Sequence, residues 1–368
     1  MISFRSASAG PSVQGGLEGQ CKGSLWAQAV RRLSSALLAL VAGAGVAMAQ
    51  TEGPLYAGKQ IRMVVASGAG GGYDVYARVL AAHMADHIAG HPAIVSENMP
   101  GAGGLVGINW AYNAAPRDGT VILSSFNVVL STPLFGDPQA KFDPRKFASI
   151  GSIDKQQNIC ATWYTSPIKT LDQAKAQPVT VSAEGVNSNS ATLPGILNTM
   201  LGTKFKIITG YSTGGMRLAA ENGEVQGICG LSWSTLKASN PDWIINHRLN
   251  ILVQTGDKAQ ADLPEVPVMI DLVSNPEDKQ IIRLLEFPGE LGRPFLMPPG
   301  TPKDLVAVIR QAFAETMKDP GFLADAKTAM LEVDPVLGEE MQQIIENAYA
   351  TPEALVRKAA PFSGIPGT

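Results

Sequence analysis

Cysteine, histidine and aromatic side chains are scarce in this chain, with three Cys, four His and 6% Phe, Trp and Tyr among 368 residues. Three of the histidines, His83, His87 and His91, crowd one stretch at spacings of four. No H-E-x-x-H accompanies them, so a solvated helix face is expected there and no metal site. With only four histidines, three of them crowded in that stretch, a His-based catalytic triad has few candidates. No Gly-Lys-Ser/Thr occurs either, so the phosphate-gripping lysine of a P-loop is missing. Basic blocks interleaved with aromatics are absent, which excludes nucleic acid as the expected partner. Beyond residue 50 no run of eighteen apolar residues occurs, so no membrane-spanning helix is expected. No cofactor is expected.

The first feature present is an export signal. Arg31 and Arg32 precede LSSALLALVAGAGVA, and the run ends in Ala47-Met48-Ala49 before Gln50. A positive start, a short apolar stretch and an A-x-A ending predict a secretory signal peptide over 1–49, cleaved after Ala49. The run is too short and too rich in Gly and Ala for a membrane span. Its removal takes four basic residues and one acidic residue, leaving 25 against 31, a net charge of −6 compared with −3 for the whole chain. The remaining 319 or so residues exceed what one core usually serves, so two lobes are expected.

From Leu55 onward the pattern alternates strand and helix. QIRMVVAS, PAIVSEN and TVILSSF read as strands, separated by helical stretches from Asp74 to Gly90 and over GGLVGINWAYNAA. A second series follows: NICATWY, VTVSAEG, a helix from Ser190 to Leu201, FKIITGY, a helix from Gly214 to Asn222, VQGICGL and NILVQTG. GRPFLMPP and a mainly helical tail finish the chain, the tail opening with Thr301 as N-cap and Pro302 in the first turn. Apolar runs such as MVVA and VILSS predict strands buried on both faces, hence mostly parallel sheets under helices. The expected fold is α/β with two lobes, each a mostly parallel sheet flanked by helices, and a ligand cleft between them. Residues 50–155 plus 291–368 would form lobe I and 156–290 lobe II.

Two glycine-dense turns fall where strands enter helices, the position at which open α/β sheets bind ligands. The first holds Ser67, Gly68, Ala69, Gly70, Gly71, Gly72 and Tyr73; the second holds Asn98, Pro100, Gly101, Ala102, Gly103 and Gly104. Glycine lets backbone N–H groups approach a ligand, and a helix N-terminus adds partial positive charge, so both turns suit an anion. Neither completes the dinucleotide fingerprint, because G-x-G is followed by x-x-Tyr in one and x-x-Val in the other. With no lysine or arginine in either turn, a small carboxylate fits better than a triphosphate. Asp74 is read as the N-cap of the first helix and not as a general base.

GAGGGYDVYAR, SENMPGAGGLVGINWAYNAAPRDGTVIL, TGYSTGGMRLAAENGEVQG, DLPEVPVMIDL and FLMPPGTPKDLV together resemble the tripartite tricarboxylate transporter receptor family, also called Bug proteins. The likeness runs in the same order over nearly all of the chain after the signal. It implies a type II periplasmic binding protein fold, a location in the periplasm and a non-catalytic receptor closing over a small organic acid. Membrane subunits of a tripartite tricarboxylate transporter are the implied partners, and the receptor is expected as a monomer. In the family the two early turns act as pincers on a carboxylate, which here implies residues 67–73 and 98–104, with Ser125 after the third strand. The opposite lobe would contribute Asn187, Ser188 and Ser190 at a helix start, Tyr211, Ser212 and Gly214 after the next strand, and Trp233. Ser188 and Ser190 are equally well read as caps, and Trp233 as core.

The chain departs from the family pattern at several points. Tyr73 stands where threonine is usual, TGYSTGG replaces a lysine-bearing segment, and Gln226-Gly227 replaces the usual acidic residue. Cys160 and Cys229 lie in strands that are antiparallel neighbours in the usual receptor sheet order, where a disulfide could form. Two small buried thiols are the favoured expectation. Two other readings stay open: an exported enzyme acting on a phosphorylated or nucleotide substrate at the glycine turns, and a sensing subunit for a membrane signalling partner.

Overall fold

The computed structural model describes residues 55–185 and 188–364. The expected signal peptide and Asn187 lie outside them. Two mixed sheets form the frame. The first contains β1 (Gln60–Val65), β2 (Ala93–Asn98), β3 (Val121–Ser124), β4 (Ala148–Ser152), β10 (Pro294–Met297) and β11 (Val336–Leu337), in the order β11-β4-β10-β3-β1-β2. The second contains β5 (Asn158–Trp163), β6 (Val179–Ala183), β7 (Phe205–Thr209), β8 (Gly227–Ser232) and β9 (Leu249–Gln254), in the order β7-β6-β8-β5-β9. β1 runs parallel to β2 and β3, while β10 is antiparallel to β3 and β4. In the second sheet β6 is parallel to β7 and β8, and β5 alone is reversed against β8 and β9.

The apolar runs explain the layers. In β3 every residue is buried, and successive side chains serve opposite faces: Val121 and Leu123 join one core, Ile122 the other. Alternation of this kind buries a sheet between two helical layers. Helix α1 (Gly72–Met84) supplies Tyr76, Ala77, Leu80, Ala81 and Met84 to one of these cores, a stripe at helical spacing. Full burial of Leu80 or Met84 contributes roughly 1.5–3 kcal/mol each. Helix α2 (Leu105–Asn113) covers the other face through Leu105, Ile108 and Ala111.

The second sheet is covered by α3 (Leu171–Ala176), α4 (Asn189–Leu201) and α5 (Thr213–Glu221), followed by α6 (Trp233–Ser239) and α7 (Pro241–Ile245). No element is expected from the sequence over 274–290, yet α8 (Pro276–Glu290) stands there, with Asn275 accepting the Glu277 N–H as its cap. Its Ile281, Leu284 and Phe287 enter a core of the first sheet, and Ile282 enters that of the second. One helix is thus shared by both lobes. The tail adds α9 (Lys303–Thr316), α10 (Pro320–Thr328), α11 (Gly338–Tyr349) and α12 (Glu353–Ala359). Pro302, and not Thr301, occupies the N-cap of α9, since the Thr301 hydroxyl donates back to Pro298 O.

Cys160 and Cys229 face each other across the antiparallel β5–β8 pair and are bonded, which corrects the favoured expectation of two free thiols. Register explains it: the strand pairing puts the two residues directly opposite one another. His91 is exposed as expected, but His83 and His87 differ from the solvated face expected. His83 Nε2 lies 2.9 Å from Asp325 Oδ2 and His87 Nε2 3.2 Å from Asp319 Oδ2, because α10 and its cap pack over that face of α1. Among the described residues no group of three His, Cys, Asp or Glu side chains is placed to hold a metal.

Candidate functional site

The first glycine turn leaves β1 with Ser67 buried and Gly68 to Gly72 exposed. Gly70 takes φ 78°, a conformation glycine adopts without strain. Gly71, at the helix N-cap, brings no capping side chain, so the first N–H groups of α1 stay open. Asp74 is not the cap expected from the sequence. It sits on the third residue of the helix, 3% exposed, and reaches back to accept the Gly70 N–H at 2.8 Å. Its carboxylate also accepts from Arg78 Nε at 2.9 Å and from Asn98 Nδ2 at 2.8 Å. The Arg78 contact, helped by the Gly70 and Asn98 bonds, holds its pKa down at about 2.

Asn98 ends β2 and opens the second turn. Its amide donates to Ser67 O at 3.0 Å as well as to Asp74, so one side chain ties the two turns together. Beyond exposed Pro100, four successive residues have positive φ: Gly101 134°, Ala102 45°, Gly103 63° and Gly104 99°. Gly104 is also sterically required, since a Cβ there would stand 2.7 Å from Phe126 Cδ2. Ala102 alone bears a side chain in the left-handed region, at a cost of about 1–2 kcal/mol. Strain of this sort is commonest at ligand sites. The turn then delivers the chain into α2.

Between the sheets lies a cleft of about 1250 Å³. Ala102 and Gly103 line it from the first lobe; Ser188 and Ser190 line it from the second. Ser188 holds the N-cap position of α4 without capping it, its hydroxyl donating instead to Gly185 O at 2.6 Å. Ser190 accepts the Glu184 N–H at 3.1 Å. A helix N-terminus without a side-chain cap thus faces the cleft opposite the second glycine turn. Residues 67–73 do not line this cavity but flank it beside the second turn.

Other residues singled out from the sequence lie elsewhere. Ser125 is fully buried and its hydroxyl donates to Phe126 O. Tyr211 donates to Glu224 Oε1 at 2.5 Å, Ser212 caps α5 by accepting the Gly215 N–H, and Gly214 is exposed at that helix start. Trp233 is 3% exposed in the core of the second lobe, with Nε1 donating to Asp262. None of these lines the cleft; Met216 and Arg217, one turn farther along α5, do.

The floor of the cleft holds groups that the motifs do not reveal. Tyr73 OH donates to Asn127 Oδ1 at 3.0 Å, and Asn127 Nδ2 donates to Pro288 O at 2.7 Å. Asn127 therefore joins the first turn to the end of α8. Beneath Tyr73, Arg293 is 7% exposed, stacked 4.5 Å from the Tyr73 ring and 4.8 Å from the Tyr76 ring. Burial pushes the Tyr73 hydroxyl above its ordinary pKa, with the Arg293 charge opposing that rise. Asp154, fully buried 3.9 Å from Arg293, is raised by desolvation to about 6. Glu286 on α8 lines the floor and accepts the Gly256 N–H at 3.0 Å; desolvation raises it to about 8, and Asp257 and Glu290 add to the effect. The one signal that could have found Arg293 is a lone arginine leading into an apolar strand, GRPFLM.

Residues 76–360 match the family described as tripartite tricarboxylate transporter family receptor. A Cupriavidus necator protein, described as UPF0065 protein in gbd 5′region, is 24% identical over 341 residues, covering 89% of this chain and 96% of its own. Protein BugT of Bordetella pertussis is 30% identical over 154 residues, covering 40% of this chain and 46% of its own. Among solved structures, a TctC solute binding protein from Polaromonas is similar with a TM-score of 0.67 at 20% identity, over 82% of this chain and 99% of that one. An R. palustris protein solved with adipate has a TM-score of 0.57 at 19% identity, over 84% and 98%. At these identities the structural likeness speaks for the fold.

Proposed function

The chain belongs to the tripartite tricarboxylate transporter receptor family, and from that premise we propose that it captures a small organic acid in the periplasm by closing two lobes over it. The observation that carries this reading is the tie between the turns: Asn98 fixes the two early glycine turns side by side at adjacent helix starts. Such a pair offers converging backbone donors and two dipole ends to one carboxylate. Ser67 to Tyr73 and Asn98 to Gly103 form this clamp, and Ser188 and Ser190 at the start of α4 meet the rest of the ligand. Adipate, the molecule in the R. palustris relative, is a linear dicarboxylate, a chemistry that two facing helix N-termini would suit.

Residues 50–155 with 291–368 act as lobe I and 156–290 as lobe II, with α8 belonging to both. The chain is exported by a signal cleaved after Ala49, works as a monomer without catalysis, and hands its acid to membrane subunits of the transporter. Closure is a population shift whose extent is limited by how much better the ligand binds the closed form. Native mass spectrometry of freshly purified protein, followed by a thermal-shift panel of mono-, di- and tricarboxylates, tests the reading. Expected are a co-purified acid released unchanged and a raised Tm with micromolar acid. Stabilisation by nucleotides alone, or chemical conversion of the bound acid, would overturn it.

A further inference from the structure

Neither glycine turn carries a cation in the sequence, yet the fold delivers one to the first of them from more than 200 residues away. Arg293 is 7% exposed at the start of β10, between the rings of Tyr73 and Tyr76 on successive turns of α1. A Cβ added to Gly72, in the exposed turn, would stand 3.8 Å from Arg293 Nη2. Nη1 donates to Gly292 O at 2.8 Å, and the Gln156 amide, with its oxygen turned to the arginine, accepts from Nη1 at 2.8 Å and from Nη2 at 3.3 Å. Nε has no partner. The counter-ion is imperfect: Asp154 Oδ2 lies 3.9 Å away and also accepts from Tyr76 OH at 3.3 Å, while Oδ1 has no partner among the described residues. A charge-assisted bond that neutralised the pair would be about 2.7–2.9 Å long.

We infer that Arg293 is the positioning residue that gives the first glycine turn its positive potential, acting on a bound carboxylate through the turn without touching it. The inference rests on the receptor reading above. Low-dielectric surroundings let a buried charge act over several ångströms, and the open N–H groups of α1 add to it at the same place. The tyrosine faces offset part of the cost of desolvating the guanidinium. Asp154, in the segment between β4 and β5, lies 3.9 Å from the arginine and opposes this field, so removing its charge strengthens the pull on an anion, whereas removing the arginine weakens it. A residue that merely filled space would not give opposite signs.

The test needs no knowledge of the acid. In a chain carrying Cys21→Ser, with Cys160 and Cys229 bonded, Gly72→Cys places a single free thiol in the turn, and its thiolate stands in for the carboxylate. Its pKa is read from the pH dependence of alkylation by iodoacetamide. The charged and titratable groups facing it are Arg293 from β10, Asp154 from the segment after β4 with Glu332 and Asp334 beyond, and Tyr73, Tyr76 and the Asp74–Arg78 pair from α1. The thiol is expected about one to two units below its ordinary 8.5. Arg293→Met should raise it by about one unit, Arg293→Lys should restore most of the depression, and Asp154→Asn should lower it further. If Arg293→Met fails to fold, the Asp154→Asn shift decides alone. An unchanged pKa with Asp154→Asn, or a rise, overturns the inference while leaving the receptor reading intact. A wild-type chain that no organic acid stabilises overturns the receptor reading, and with it the carboxylate as the object of this charge.

Discussion

Asn98 and Asp74 meet across the two glycine turns, with Nδ2 of the first donating to Oδ1 of the second at 2.8 Å. The same amide holds Ser67 O, and the Asn98 side-chain oxygen accepts from Arg78 Nη2 at 2.9 Å. β1 and β2 are parallel neighbours with Val65 opposite Asn98, so their exits are adjacent, but adjacency alone would leave the turns free to move independently. The side-chain lock makes one preorganised surface of them.

Asn98→Ala is therefore expected to cost about 1–3 kcal/mol, because it leaves the buried Asp74 oxygen and Ser67 carbonyl short of a donor. Urea unfolding checks the stability loss, and calorimetric titration checks a parallel loss of acid affinity. Stability and affinity both unchanged would show that the turns are held by the strands alone. The same cluster has a pH signature. Asp74 is depressed to about 2, so its contribution is present above the unfolded value near 3.8 and is lost as pH falls through 2.

Glu286 has the opposite sign. Its folded pKa is raised from 4.5 to about 8, so the folded state holds a proton that the unfolded state has released. Stability from the protonated form is complete below pH 4.5 and is lost progressively as pH rises toward 8. Glu286→Gln keeps an acceptor for the Gly256 N–H and removes the charge. It should raise stability at pH 8 by up to about 4 kcal/mol, with the gain vanishing by pH 4.5. Melting curves at the two pH values decide; an equal gain at both would mean that packing, not ionisation, is responsible.

A second contact between the lobes bears on closure. Lys237 on α6 lies 2.6 Å from Glu332 Oε1, in the segment leading to β11, and 2.9 Å from Asp262 Oδ2. Glu332 is held in turn by Tyr76, whose hydroxyl accepts its N–H at 3.0 Å and donates to its carbonyl at 3.1 Å. Both charged side chains are 33% exposed, so the pair contributes no more than about 1 kcal/mol. Lys237→Met should shift the population toward an open form by about two- to fivefold and weaken acid binding by a similar factor. Distance distributions between spin labels on the two lobes report the shift, and Glu332→Gln in the Lys237→Met chain should add little. Independent, additive effects would mean that the two residues do not act as a pair.

Much of the frame was legible because its signals are local. MVVA and VILSS announce doubly buried strands, and the two glycine turns stand at strand ends where the fold keeps them. The cap expected at Asp74 lies three residues earlier, at Gly71, because Gly72 enters the helix despite its low propensity, with the Asp74–Gly70 bond holding the turn. Helix α8 escaped because PEDKQ begins it with polar residues and Pro288 and Gly289 lie near its end, while its apolar contacts are to two different cores. Asn127, Gln156 and Arg293 had no motif to mark them. They meet only after the chain has crossed between the sheets, and sequence spacing carries no trace of that meeting.

The first turn offers the plainest test of the clamp. Gly71 has φ −77° and ψ 165°, ordinary extended values for any residue, and a Cβ there would come no closer than 3.4 Å to Gly68 O. Aspartate is among the preferred N-cap residues, so Gly71→Asp should leave the fold intact and change stability by no more than a few tenths of a kcal/mol. It also puts a fixed negative charge among the open N–H groups of α1, where it would satisfy the donors offered to a ligand carboxylate and repel that carboxylate at close range. Acid binding should then fall by at least about a hundredfold, roughly 3 kcal/mol. Gly71→Asn caps without charge and should retain part of the affinity. Calorimetric titration of the two variants beside the wild type separates occupation of the donors from repulsion. An unaltered affinity in Gly71→Asp would exclude the first turn from the site.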